Sequence, residues 1–155
     1  MNETVKTYDF VVIGAGIAGA SAAYELVRDG ASVLICEMED QPGYHTTGRS
    51  AAIFTENYGN DVIRAVTSAS RDFLQAPPEG FSDYPLLSPR GALMVGDRSC
   101  LAEVDAAVGG KVVAVDSDEI TRLSPLVSPD FALAGAWEKG ASDIDVDALF
   151  QGYLR

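Results

Sequence analysis

Residues Gly14-Ala15-Gly16-Ile17-Ala18-Gly19 read G-x-G-x-x-G, and their surroundings decide what that pattern means. Before them, Tyr8 to Ile13 is a short run rich in β-branched and aromatic residues, which reads as a buried strand. After them, Ile17 to Asp29 carries good helix formers, and Gly30 stands where a helix ends. Ser32 to Cys36 is a second apolar run of strand length. Strand, helix, strand in about 30 residues is a βαβ unit, whose strands are expected to be parallel and buried. Gly14 permits the tight turn, Gly16 lets a diphosphate approach the backbone, and Gly19 lets the helix pack close to the strand. The helix N-terminus offers that diphosphate free N–H groups and a partial positive charge. Glu37 ends the second strand, where a carboxylate accepts hydrogen bonds from ribose hydroxyls and repels a 2′-phosphate. This turn by itself does not separate FAD from NAD, since both carry the same ADP half.

The remaining chain supports a soluble globular domain. It has 155 residues, 47% hydrophobic and 22% charged, enough to bury a core without disulfides. A net charge of −12 repels phosphate backbones and anionic lipid, so nucleic acid is excluded as an expected partner. The two cysteines, Cys36 and Cys100, form no C-x-x-C pair, which fits a reducing cytoplasm. The apolar stretch Phe10 to Tyr24 is too short to span a bilayer, and Asp9 and three glycines argue against a signal peptide.

Further along, Gln41 to Ser50 is a polar, turn-rich segment expected to be a functional loop. Asp61 to Gln75 has helical spacing, with Asn60 or Asp61 as N-cap and Pro77-Pro78 beyond its end. Shorter pieces follow: strands at Ala92 to Val95, Lys111 to Val115 and Leu133 to Trp137, helices at Ser99 to Val108 and Asp118 to Leu123, and a helix start at Asp147 to Leu154. Asp143, Asp145 and Asp147 imitate a calcium loop, but Ala148 and Leu154 replace its glycine and glutamate, so Asp147 is expected to cap the last helix and no metal is expected. His45, the sole histidine, is either a turn residue beside cofactor or solvent or an acid-base group. Tyr58 is either a packed aromatic or a catalytic residue.

The glycine turn, Glu37 and the run Pro42-Gly43-Tyr44-His45-Thr46-Thr47-Gly48-Arg49-Ser50-Ala51-Ala52 together resemble the N-terminal part of D-amino-acid-oxidase-like FAD-dependent oxidoreductases. The resemblance continues through Tyr58-Gly59, the segment Pro85 to Arg90 and the closing Asp143 to Arg155. It implies an α/β fold: a Rossmann-type FAD-binding βαβ unit and flavin loop over residues 1–80, then the beginning of a mixed α+β substrate domain over 81–155. It implies FAD as cofactor, with Gly14, Gly16, Ala18 and Gly19 at the pyrophosphate, Glu37 at the ribose and Met38 beside the adenosine. His45, Thr46, Thr47, Gly48, Arg49, Ser50, Ala51, Ala52 and Ile53 would line the cofactor. Tyr58 would be the active-site tyrosine, with Ile53 and Ala92 beside the substrate. The implied reaction is oxidation of a D-amino acid or amine, with sarcosine or glycine oxidation as the alternative and a non-catalytic nucleotide-binding role as a third. Relative to the D-arginine-oxidising branch, Ala92 stands in place of a carboxylate and Ile53 in place of a histidine, which biases the substrate toward apolar side chains. The resemblance implies that the arginine for the substrate carboxylate comes from the later half of the family's chain, which is expected to be missing from these 155 residues. The chain alone is therefore expected to turn over little substrate.

Overall fold

The computed structural model describes residues 5–155, which fold as two compact units interleaved along the chain. The first unit comprises the chain up to Ala52 together with Ala76–Leu86 and Asp145–Arg155; the second comprises Ile53–Gln75 and Leu87–Ile144. The sequence reading instead places a single boundary after residue 80. The chain returns to each unit because their cores are closed by segments far apart in sequence.

In the first unit, β1 (Phe10–Ile13) and β2 (Val33–Cys36) pair in parallel on either side of α1 (Ile17–Arg28), with Phe10 opposite Val33 and Ile13 opposite Cys36. The expected βαβ unit is present, but its strands are not buried as expected. Val11 is 58% and Ile13 90% exposed, because two strands and one helix can cover only one sheet face. The helix contributes Ala20 and Ala23 to the core, and Gly19 sets how closely it approaches. A Cβ on Gly19 would lie 1.9 Å from the Gly14 carbonyl oxygen. Gly14 itself has φ +96°, a conformation that L side chains rarely adopt.

The last helix, α5 (Val146–Tyr153), belongs to the same unit and packs on α1. Tyr24 of α1, Phe81 and Tyr153 meet edge to face with centroids 5.0 to 5.5 Å apart, an arrangement favoured by ring quadrupoles. Asp145, not the expected Asp147, caps α5 by accepting from the Ala148 N–H at 2.9 Å. Asp145 is the residue with extended backbone just before the helix, whereas Asp147 already lies within its first turn.

The second unit holds two antiparallel sheets. One has the order β3 (Ile53–Phe54), β8 (Ser142–Ile144), β4 (Leu87–Pro89); the other β5 (Ala92–Gly96), β7 (Ala134–Glu138), β6 (Val112–Val115). The sheets join where Arg90 and Gly91 both donate their N–H to the Ala141 carbonyl. Helices α2 (Asp61–Gln75), α3 (Leu101–Ala107) and α4 (Ser117–Leu123) complete the unit. Asn60 accepts from the Ile63 N–H at the start of α2, and Asp116 from the Glu119 N–H at the start of α4. Val104 of α3 packs on Val112 and Ala136 of the second sheet. No helix among the described residues is long and apolar enough to cross a membrane.

The close approach at Gly19 yields a stability test. Gly19→Ala forces α1 away from the glycine turn and should cost about 1–3 kcal/mol, the usual range for overpacking. Urea denaturation measures it, and an unchanged midpoint would remove the packing role.

Candidate cofactor and substrate sites

The first unit gathers the glycine turn, Glu37 and the 43–49 loop into one hydrogen-bonded knot. The Ala15 N–H donates to Glu37 Oε2 at 2.6 Å, and the Ile17 N–H donates to Thr47 Oγ1 at 2.9 Å. The Gly43 N–H donates to the Ala15 carbonyl at 3.0 Å, and the Gly48 N–H to the Gly43 carbonyl at 2.8 Å. Thr47 lies on a single 3₁₀ turn, Thr47–Arg49, and is buried. Helix geometry leaves the Ala18 and Gly19 N–H groups without intrahelical acceptors, directed out of the N-terminus of α1.

Glu37 also accepts from the Met38 N–H at 2.7 Å and the Glu39 N–H at 3.1 Å. The Ala15 N–H first, then those of Glu39 and Met38, hold its carboxyl below the usual carboxylate range, so it stays anionic at neutral pH. An anion at the second strand end beside a glycine turn suits a dinucleotide whose ribose carries free hydroxyls. The residues present therefore fit FAD: the turn has no side chain at Gly14 or Gly16, and Thr47 Oγ1 lies only 3.2 Å from where a Cβ on Gly16 would be.

The other loop residues have local partners. His45 Nε2 is 2.7 Å from Glu39 Oε1, and Arg49 lies over the Tyr44 ring at 5.4 Å. Met38 is exposed, as are Thr46, Ser50 and Ala51, and Ala52 is half-buried.

In the second unit, two of the three substrate-side expectations converge. Tyr58 and Ala92 line one cavity of about 420 Å³, together with Asn57, Met94, Val112, Ala136 and Glu138 among others. Ile53 lines a different hollow with Phe54, Thr55, Thr67 and Ile144, and Tyr58 borders both. Tyr58 is 73% exposed and so is not the packed aromatic that the sequence left open. Arg90 pairs with Asp143 at 3.1 Å across the first sheet.

The sequence reading missed the polar centre of this unit. Glu56, 8% exposed, takes Arg71 at 2.7 Å and Lys111 at 2.6 Å on the same carboxylate oxygen. Arg71 also lies over the Phe54 ring at 4.7 Å. These residues are separated by 15 and 55 positions, so no local spacing announces them. Hydrogen bonds from Arg71 and then Lys111 lower the Glu56 carboxyl from 4.5 to about 2, against the opposing effect of burial. A carboxyl more acidic in the folded than in the unfolded chain adds stability that is complete above about pH 4.5 and is lost as the pH falls to about 2. Glu56→Gln should therefore cost about 2 kcal/mol at pH 7 and flatten the loss of stability over that acid range, read from urea midpoints at each pH.

The model of the FAD dependent oxidoreductase family matches residues 9–155. L-aspartate oxidase of Halobacterium salinarum is 32% identical over 111 residues, 71% of this chain and 17% of that protein. Iminodiacetate oxidase from Chelativorans superposes with a TM-score of 0.68 at 27% identity, over 94% of this chain and 43% of that one. L-proline dehydrogenase from P. horikoshii has the same fold, with a TM-score of 0.78 at 18% identity, over 96% of this chain and 41% of that one. The chain thus spans less than half the length of these relatives. With the glycine turn in its strand-helix setting and the family match running through nearly every described residue, this chain belongs to the DAO family of FAD dependent oxidoreductases.

Proposed function

We propose that this chain supplies the ADP-binding turn and part of the substrate wall of an enzyme that oxidises a D-amino acid or amine at its C–N bond. The observation that carries this reading is the knot in which Glu37 and Thr47 accept the Ala15 and Ile17 N–H groups around a glycine turn. Gly14, Gly16, Ala18 and Gly19 would hold the pyrophosphate and Glu37 the adenosine ribose, with Met38 beside it. The loop from His45 through Thr46, Thr47, Gly48, Arg49, Ser50, Ala51 and Ala52 to Ile53 would contact the cofactor. When bound, FAD would accept a hydride from the carbon that bears the nitrogen, leaving an imine for water to hydrolyse. Tyr58, with Ala92 and Ile53, would border and orient the substrate. The convergence of Tyr58 and Ala92 on one cavity supports that part.

A second reading, oxidation of a secondary amine such as sarcosine, is favoured by the 27% identity to iminodiacetate oxidase. The two are separated by offering primary D-amino acids and N-methylated amines to flavin-loaded protein and following flavin bleaching. The free Cys36 and Cys100 fit the reducing cytoplasm proposed as its location.

The first measurement is a visible spectrum of the purified chain followed by FAD titration with fluorescence detection. Flavin binding is expected, weak enough to be lost on gel filtration, with little turnover. Stoichiometric flavin through purification together with turnover would overturn the expectation of an inactive chain. Glu37→Ala should weaken FAD binding by about tenfold or more, the loss expected for charge-assisted hydrogen bonds to ribose. Unchanged affinity would remove Glu37 from the ribose.

A further inference from the structure

The second unit buries two carboxylates and treats them differently. Glu56 receives both Arg71 and Lys111. Glu138, 6% exposed, receives only neutral donors, the Thr55 hydroxyl at 2.6 Å and the Glu56 N–H at 3.2 Å. It forms no ion pair among the described residues. Removing a carboxylate from water is costly unless countercharge or complete hydrogen bonding compensates, and two donors leave acceptor sites of a carboxylate unused.

The cavity of about 420 Å³ lies wholly within this unit and has Glu138 in its wall. Strand pairing determines what surrounds the carboxylate. Ala92 and Val112 sit directly across from Glu138 on its two sides, and Met94 and Ala114 across from Ala136. Side chains directly opposite in antiparallel strands share a sheet face, so Ala92, Met94, Val112 and Ala136 form an apolar surround for one charge. Ala92 presents only a methyl group across from Glu138, which stays buried in the wall of the cavity. Asn57, also in the wall, has a buried Nδ2 with no acceptor. Among the described residues Arg64 is the one cation in the lining; it is exposed on α2 and does not pair with Glu138.

We infer that this cavity binds a small organic cation, an ammonium or guanidinium on an aliphatic stem, with Glu138 as its countercharge and Asn57 as a donor to an acceptor elsewhere on the ligand. The bias toward apolar substrates drawn from Ala92 is thereby reversed, because the charge stands one strand over. The inference rests on the proposed reading only in taking the natural occupant to be the cationic end of an amine or amino-acid substrate. Binding itself requires no flavin.

The test is an NMR titration of the isotope-labelled, flavin-free chain with butylammonium and ethylguanidinium, and with butanol as the neutral counterpart. The cations should shift the Asn57 side-chain amide and the Ala92 and Glu138 backbone signals, and should bind at least about tenfold more tightly than butanol. Glu138→Gln keeps an acceptor for the Thr55 hydroxyl without the charge, and should weaken the cations by about tenfold while leaving butanol unchanged. Should that variant fail to fold, Ala92→Lys places a cation across from Glu138 and should abolish cation binding. Absence of cation binding, equal binding of cation and alcohol, or full cation affinity in either folded variant overturns the inference. FAD titration is read separately, so failure of the flavin reading and failure of the cation site are distinguishable.

Discussion

The contact on which the first unit depends is the approach of α1 to the turn that precedes it. Gly19 lies against the Gly14 carbonyl with no room for a side chain between them. That distance sets where the first N–H groups of the helix point; Thr47 accepts the first of them, from Ile17, and Glu37 accepts the N–H of Ala15 in the turn before it. The strand end, the helix start and the following loop thus share one set of hydrogen bonds. Each would leave a buried or half-buried polar group unpaired if the others moved. The diphosphate site proposed at this turn would need such rigidity, because its affinity would come from fixed N–H dipoles and not from a single strong partner.

In the second unit the organising problem is negative charge. The chain carries twenty-three acids and eleven Lys and Arg, so cations are scarce. Two are spent on Glu56, which ties α2 and the turn before β6 to the segment after β3. Glu56 in turn offers its N–H to Glu138, so the paired carboxylate helps to position the unpaired one. The result is a structural ion cluster on one side and a charge facing a cavity on the other.

Much of this was legible in the residues. Helices α1 and α2 and the strands β5, β6 and β7 announced themselves by period and by flanking glycine, proline or asparagine, which act over a few neighbouring positions. The two- and three-residue strands β3, β4 and β8 did not, since so few residues establish no period and only pairing across about fifty to ninety positions makes them strands. The cap of α5 was expected at Asp147 and lies at Asp145 for a related reason: both have the right chemistry, and backbone conformation alone separates them.

The amino-acid sequence by itself determined the βαβ unit, the glycine turn between its first strand and its helix, and the carboxylate at the end of its second strand. Those depend on residues within about thirty positions of one another and on the properties of glycine and a carboxylate. Tertiary structure alone decided that Tyr58 and Ala92 share a cavity, that Glu56 is doubly neutralised, and that Glu138 stands across from Ala92 with only neutral donors among the described residues. Charge balance in a buried site depends on which side chains meet through space, and strand register sets that.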